Sequence, residues 1–179
     1  MRLRSLIHVL EAAQSLVRPE QIIVLGSSSL LPTDPVLGEA GHVLEFSYDA
    51  DLLVSPIDQE GARILMESLG QESFFAKRHG YYADILRAEI TETLPEGWRS
   101  RVGPVPDLAG CYALNPLDLA LVKLVLGRPK DMELLRELLG RGVLKSDSLR
   151  KHYQSTALSE ADATNAGRNL HMLLSMPGA

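Results

Sequence analysis

The chain has 179 residues, a hydrophobic content of 45% and a formal net charge of −5. That is enough apolar material for a packed core in one domain, or in one domain with a small appendage, and it argues against disorder. The negative balance disfavours broad nucleic-acid binding, no apolar run approaches the about 20 residues that cross a bilayer, and the lone Cys111 leaves neither an internal disulfide nor a cysteine metal cluster.

Leu3, Leu6, Ile7, Leu10, Ala13 and Val17 recur at helical spacing and predict an amphipathic first helix, ended by Arg18-Pro19. This stretch lacks the apolar block of a signal peptide, so a soluble cytoplasmic protein is expected. Gln21 to Leu25 reads as a buried strand. Gly26-Ser27-Ser28 follows at once, and Ser27 to Leu31 is expected to start a short helix. Residues 33–41 are rich in Pro, Gly and acids and read as a loop, with residues 43–48 leading into a strand or forming a short one. Asp49 to Val54 is the next predicted strand, and Asp58 to Leu69 a second amphipathic helix closed by Gly70.

Tyr81 to Ile90 alternates and is rich in aromatic and branched residues, which predicts a strand. Leu94-Pro95-Glu96-Gly97 reads as a turn. Trp98 to Val102 and Gly110 to Leu114 are predicted strands, with a Gly/Pro segment over 103–106 between them. The character then changes. Asn115-Pro116 is a strong helix start, an N-cap Asn with Pro at the first helical position. Pro129 opens another helix through Leu139, closed by Gly140, and Ser146 and Ser159 are candidate N-caps for two more. The expected class is α/β (α+β), with a mixed core over residues 1–114 and a helical region over 115–179. Charge divides in a similar place: residues 1–110 carry 9 Lys/Arg against 16 Asp/Glu, and residues 111–179 carry 9 against 7.

Asp49 and Asp51 are two apart, so on a strand both side chains leave the same face, about 7 Å from each other. Like charges beside a core repel and resist desolvation, and a divalent cation is the simplest way to make them tolerable. Backbone N–H groups and hydroxyls at Gly26, Ser27 and Ser28 suit a phosphate. Each feature also has a plain structural reading: an ordinary turn with a serine cap, and two acids on a solvent-facing strand edge. The chain has neither a GxxxxGK[ST] loop nor a GxGxxG fingerprint, and its five histidines fall in no HxxxH spacing, which disfavours zinc.

In order, Leu25-Gly26-Ser27-Ser28 and Asp49-Ala50-Asp51-Leu52-Leu53 resemble the nucleotidyltransferase superfamily of the DNA polymerase beta type. Asp84-Ile85-Leu86, Leu94-Pro95-Glu96-Gly97-Trp98-Arg99 and the segment from Asn115 to Leu124 are similar to a bacterial branch that includes the AbiEii-like toxins of toxin–antitoxin systems. The resemblance spans roughly residues 20–140. It implies a nucleotidyltransferase-like mixed sheet flanked by helices and followed by a helical bundle. It implies Mg²⁺ or Mn²⁺ at Asp49 and Asp51, a third carboxylate at Asp84 (with Glu89 and Glu92 as alternatives), and a nucleoside triphosphate held by Gly26, Ser27 and Ser28.

The implied reaction places a nucleoside monophosphate on an RNA end, a protein side chain or a small molecule, with a cognate antitoxin as partner in the toxin-like case. Lys123 has two readings, a lysine at the edge of the core and a cation aimed at the triphosphate. Trp98 and Arg99 read as a buried Trp with a surface Arg, or as a stacking and phosphate contact. Glu45-Phe46-Ser47 departs from the Arg-x-Thr of many toxin-like relatives, trading a cation for an acid. The alternative function is a nucleotide-binding partner protein of the same fold with weak or no catalysis.

Overall fold

A computed structural model describes residues 1–175; the last four positions of the predicted helical region 115–179 lie outside the described residues. The chain divides into two compact units, Met1–Ile90 with Val102–Leu114, and Thr91–Arg101 with the residues from Asn115 onward.

In the first unit the helix α1 (Leu3–Val17) precedes β1 (Gln21–Val24), and β2 (Asp49–Ser55) leads into α2 (Gln59–Leu69) and α3 (Phe74–His79). Then come β3 (Tyr82–Ile85), β4 (Gly103–Pro104) and β5 (Cys111–Ala113). The five strands form one mixed sheet in the order β3-β2-β1-β5-β4. β1 lies antiparallel to β2, with Val24 opposite Leu52, and parallel to β5; β2 and β3 run parallel. Ile22, Ile23 and Val24 are all buried, as the continuous apolar run of a central strand requires. α1 turns Leu6, Val9, Leu10 and Ala13 into the core and packs against α2, whose buried residues are Leu65 and Leu69. Asp58 caps α2 by accepting the Gly61 N–H at 2.7 Å.

The second unit is helical: α4 (Pro116–Leu126), α5 (Pro129–Gly140), α6 (Ser146–Ser155) and α7 (Glu160–Leu174). Asn115 Oδ1 accepts the Leu117 N–H at 2.9 Å, and Gly127 ends α4 in the left-handed region at φ 60°. α4 is buried at four successive positions, Asp118 to Leu121, so it is the central helix, with α5, α6 and α7 packed on it. The fully buried Asp118 carboxylate takes the Arg101 fork at 2.7 Å and His152 Nε2 at 2.9 Å. Burial pushes its carboxyl up, but these hydrogen bonds and charges together outweigh burial and hold it below the usual carboxylate range.

Removing that carboxylate strands Arg101 and His152. Asp118→Ala is expected to cost about 3 kcal/mol in denaturant unfolding, and a loss below about 1 kcal/mol would contradict the assignment. Because the folded value is depressed, this stability is present above the unfolded carboxylate pKa and is lost as pH falls through the folded one.

Four local expectations change. Of the two readings of residues 43–48 only the short strand falls away, since turns over 43–46 lead into β2. The predicted strand over 81–90 stops at Ile85 and is followed by a 3-10 helix over Ala88–Thr93. Trp98–Arg101 is a 3-10 helix, while the Gly/Pro segment expected as a link supplies β4 instead. Gly103 and Pro104 enter the sheet only because β5 lies beside them, with Gly103 opposite Ala113. Ser146 is the first residue of α6 and not its cap, whereas Ser159 Oγ caps α7 by accepting the Asp162 N–H at 3.2 Å. The sequence reading also passed over α3, although its signals stand at both ends: Ser73 Oγ accepts the Ala76 N–H and Gly80 closes it at φ 77°. No helix among the described residues is long and apolar enough to cross a membrane.

Candidate active site

The parallel pairing of β2 with β3 sets Asp49 opposite Tyr82 and Asp51 opposite Asp84. Side chains alternate along a strand, so these four share one face, while Ala50, Leu52 and Ala83 are buried on the other. One oxygen from each of Asp49, Asp51 and Asp84 lies within 4.8 Å of the other two. Asp49 and Asp51 are half-buried and Asp84 is exposed. Burial first, and then the Asp49 charge, push the Asp84 carboxyl above its ordinary value. Glu89 and Glu92 sit beyond the end of β3 on the short helix 88–93, outside this register.

The Gly26-Ser27-Ser28 turn belongs to the same cluster. Leu25 N–H donates to the Asp51 carbonyl at 2.8 Å, which lays the end of β1 against the carboxylate strand. Gly26 has φ 36°, and a Cβ on it would stand 1.7 Å from Asp51 Oδ2. Only glycine fits there, on both counts. Ser27–Leu30 is a single 3-10 turn, too short for a helix dipole of consequence, so any anion held here is held by local N–H and O–H groups. Ser28 Oγ is buried and makes no hydrogen bond within the described residues, an exception to the rule that buried hydroxyls are paired. Ser29 Oγ donates to the Gly26 carbonyl at 2.7 Å and braces the turn.

Lys123 lies in the second unit, buried, with Nζ 3.1 Å from Asp131 Oδ1; Arg128 Nε reaches the other Asp131 oxygen at 2.6 Å. Burial pushes the Asp131 carboxyl up, and its two cations bring it below the usual range. Trp98 is buried with the Arg99 guanidinium stacked 4.5 Å from its ring centroid, a cation–π contact within the second unit.

Three neighbours of the carboxylates were not singled out from the sequence. Ser47 Oγ donates to Asp49 Oδ1 at 3.3 Å, Ser29 braces the turn, and Tyr82 shares the carboxylate face. Tyr82 stands two residues before Asp84 on the same strand, so alternation alone could have found it.

The model of the DUF6036 family, described as a nucleotidyltransferase of unknown function, matches residues 2–173. The chain belongs to this family. No curated protein and no solved structure matches it. The DUF6036 description supports the nucleotidyltransferase superfamily, and the five-stranded mixed sheet flanked by helices is consistent with that fold.

Proposed function

We propose that this nucleotidyltransferase moves a nucleoside monophosphate from a nucleoside triphosphate to an acceptor hydroxyl and releases pyrophosphate, with Asp49, Asp51 and Asp84 binding Mg²⁺ or Mn²⁺. The supporting observation is the convergence of three carboxylates beside a glycine turn that tolerates no side chain. Hard carboxylate oxygens suit these ions, and one face open to solvent leaves room for phosphate ligands. A bound ion would neutralise charge on the reacting phosphate and make the acceptor hydroxyl more acidic.

The chain's own groups have the following roles in this proposal. The N–H groups of the Gly26–Ser28 turn and the hydroxyls of Ser27 and Ser28 hold the phosphates, which gives the buried Ser28 Oγ a partner. Asp49, oriented by Ser47, and Asp51 hold the metal together with Asp84. Asp84 takes the acceptor proton at a carboxylate oxygen as the acceptor oxygen bonds the α-phosphorus. The bond from that phosphorus to the bridging oxygen breaks, and pyrophosphate leaves. Lys123 keeps its place in the ion pair with Asp131. Catalysis is assigned to the mixed core over residues 1–114. An RNA end, a protein side chain or a small molecule each offers a suitable hydroxyl. A cytoplasmic toxin with a cognate antitoxin is the setting that the bacterial resemblance implies.

Thermal unfolding tests the reading. Each triphosphate at about 100 times its Kd is expected to add about 2.7 kcal/mol of stability with Mg²⁺ or Mn²⁺ and far less without. A matching release of pyrophosphate then separates an enzyme from a nucleotide-binding partner. A melting temperature indifferent to every metal and nucleotide pair would overturn it.

A further inference from the structure

The strand order β3-β2-β1 gives the carboxylate cluster two distinct sides. The Gly26–Ser28 turn follows β1 and lies on one side of Asp49 and Asp51; Tyr82 and Asp84, on β3, lie on the other. Displacement at phosphorus keeps the attacking and leaving oxygens roughly in line. With the phosphates on the β1 side, pyrophosphate departs there and the acceptor enters over β3. Apart from Asp84, the side chain of β3 that shares this face is Tyr82, opposite Asp49 and half-buried.

From this arrangement, and resting on the transfer reaction proposed above, we propose that Tyr82 is an acceptor-binding residue: its ring walls the acceptor side of the carboxylate cleft and packs against a ring-bearing acceptor beside the reacting hydroxyl. The strand ladder and the Tyr82 N–H, which donates to the Tyr48 carbonyl at 2.9 Å, fix the backbone under this ring. A tyrosine phenol is neutral at neutral pH and adds no charge against the incoming group. A flat neutral face among carboxylates suits a sugar or aromatic ring and disfavours an anionic one.

Two measurements on the full chain test this. The first uses ¹⁹F NMR of protein labelled with 3-fluorotyrosine, the Tyr82 resonance being the one lost in Tyr82→Phe. Titrating Mn²⁺ with a non-hydrolysable triphosphate is expected to broaden that resonance first among the five tyrosines. Broadening of other tyrosines ahead of Tyr82 overturns the Tyr82 assignment alone, whereas no broadening anywhere means that the metal reading itself has failed. The second measurement is pyrophosphate release with adenosine and glucose as ring-bearing probes and glycerol as an open-chain probe. Tyr82→Ala is expected to raise the KM of the responding ring probe about tenfold, the worth of one good ring contact. Affinity for Mn²⁺ and for the non-hydrolysable triphosphate should stay as in the wild type, and Tyr82→Phe should restore the KM. The responding arm tells a nucleoside from a plain sugar. Equal support from glycerol, or an unchanged KM in Tyr82→Ala, overturns the proposal.

Discussion

Changing Asp49 and Asp51 together to asparagine is expected to abolish Mn²⁺ binding and to lower pyrophosphate release by about a thousandfold or more. Asparagine keeps the shape of each side chain and removes only its charge. A metal ion's charge stabilisation at phosphorus is worth several kcal/mol, and about 4 kcal/mol corresponds to about a thousandfold in rate. The same change should raise the stability of the metal-free protein. Three carboxylates within 4.8 Å repel one another, and the pair change leaves one.

The sign of the pH effect follows from Asp84. Its folded value is raised, by burial and by Asp49, so the folded metal-free chain holds that proton more tightly than the unfolded one. Stability is therefore lost as pH rises from the unfolded carboxylate pKa through the raised folded one. Asp49→Asn removes the second cause and should shrink that loss. The trend runs opposite to the one at Asp118, where stability is lost as pH falls. Chemical denaturation across the acid range, repeated with Asp84→Asn to isolate its share, reads both. A double variant that still binds Mn²⁺, or that is less stable than the wild type without metal, would place the metal elsewhere.

Gly26→Ala is the second large effect. It is expected to cost about 2 kcal/mol of stability and most of the activity. The backbone angle of +36° disfavours any side chain, and the added methyl carbon would meet Asp51 Oδ2 at 1.7 Å. That contact cannot stand, so either the turn lifts off β2 or Asp51 swings away from Asp49 and Asp84. Gly41→Ala separates the two causes. Gly41 also has a positive φ, 86°, but nothing lies within 4 Å of its added carbon, so only the backbone cost of about 1 kcal/mol should appear there. Equal losses at the two glycines would mean that the close approach to Asp51 contributes nothing.

Much of the fold is written locally. The caps at Asn115 and Ser159, the stop at Gly70 and the apolar run of β1 each act through residues a few positions apart, and each appears where the pattern predicts. The expectations that changed depend on distant partners. Gly103 and Pro104 have no strand propensity and join the sheet through β5. Trp98 has a strand-like composition around it, yet it lies in a 3-10 segment tied to α4 by Arg101 and Asp118 within the helical unit. Lys123 had two sequence readings, and its partner Asp131 comes from the next helix.

The site divides in the same way. The residue types and their spacing by themselves determined that Asp49 and Asp51 share a face and that a glycine turn follows a buried strand, because strand alternation is a property of the chain alone. Three features came from the tertiary structure: Asp84 opposite Asp51, the Gly26 backbone against the Asp51 carboxylate, and Tyr82 on the far side of the carboxylates. Each depends on which strands pair and in what register. Pairing is settled by burying both apolar faces of β1 and β2 at once, a condition that no single segment of sequence contains.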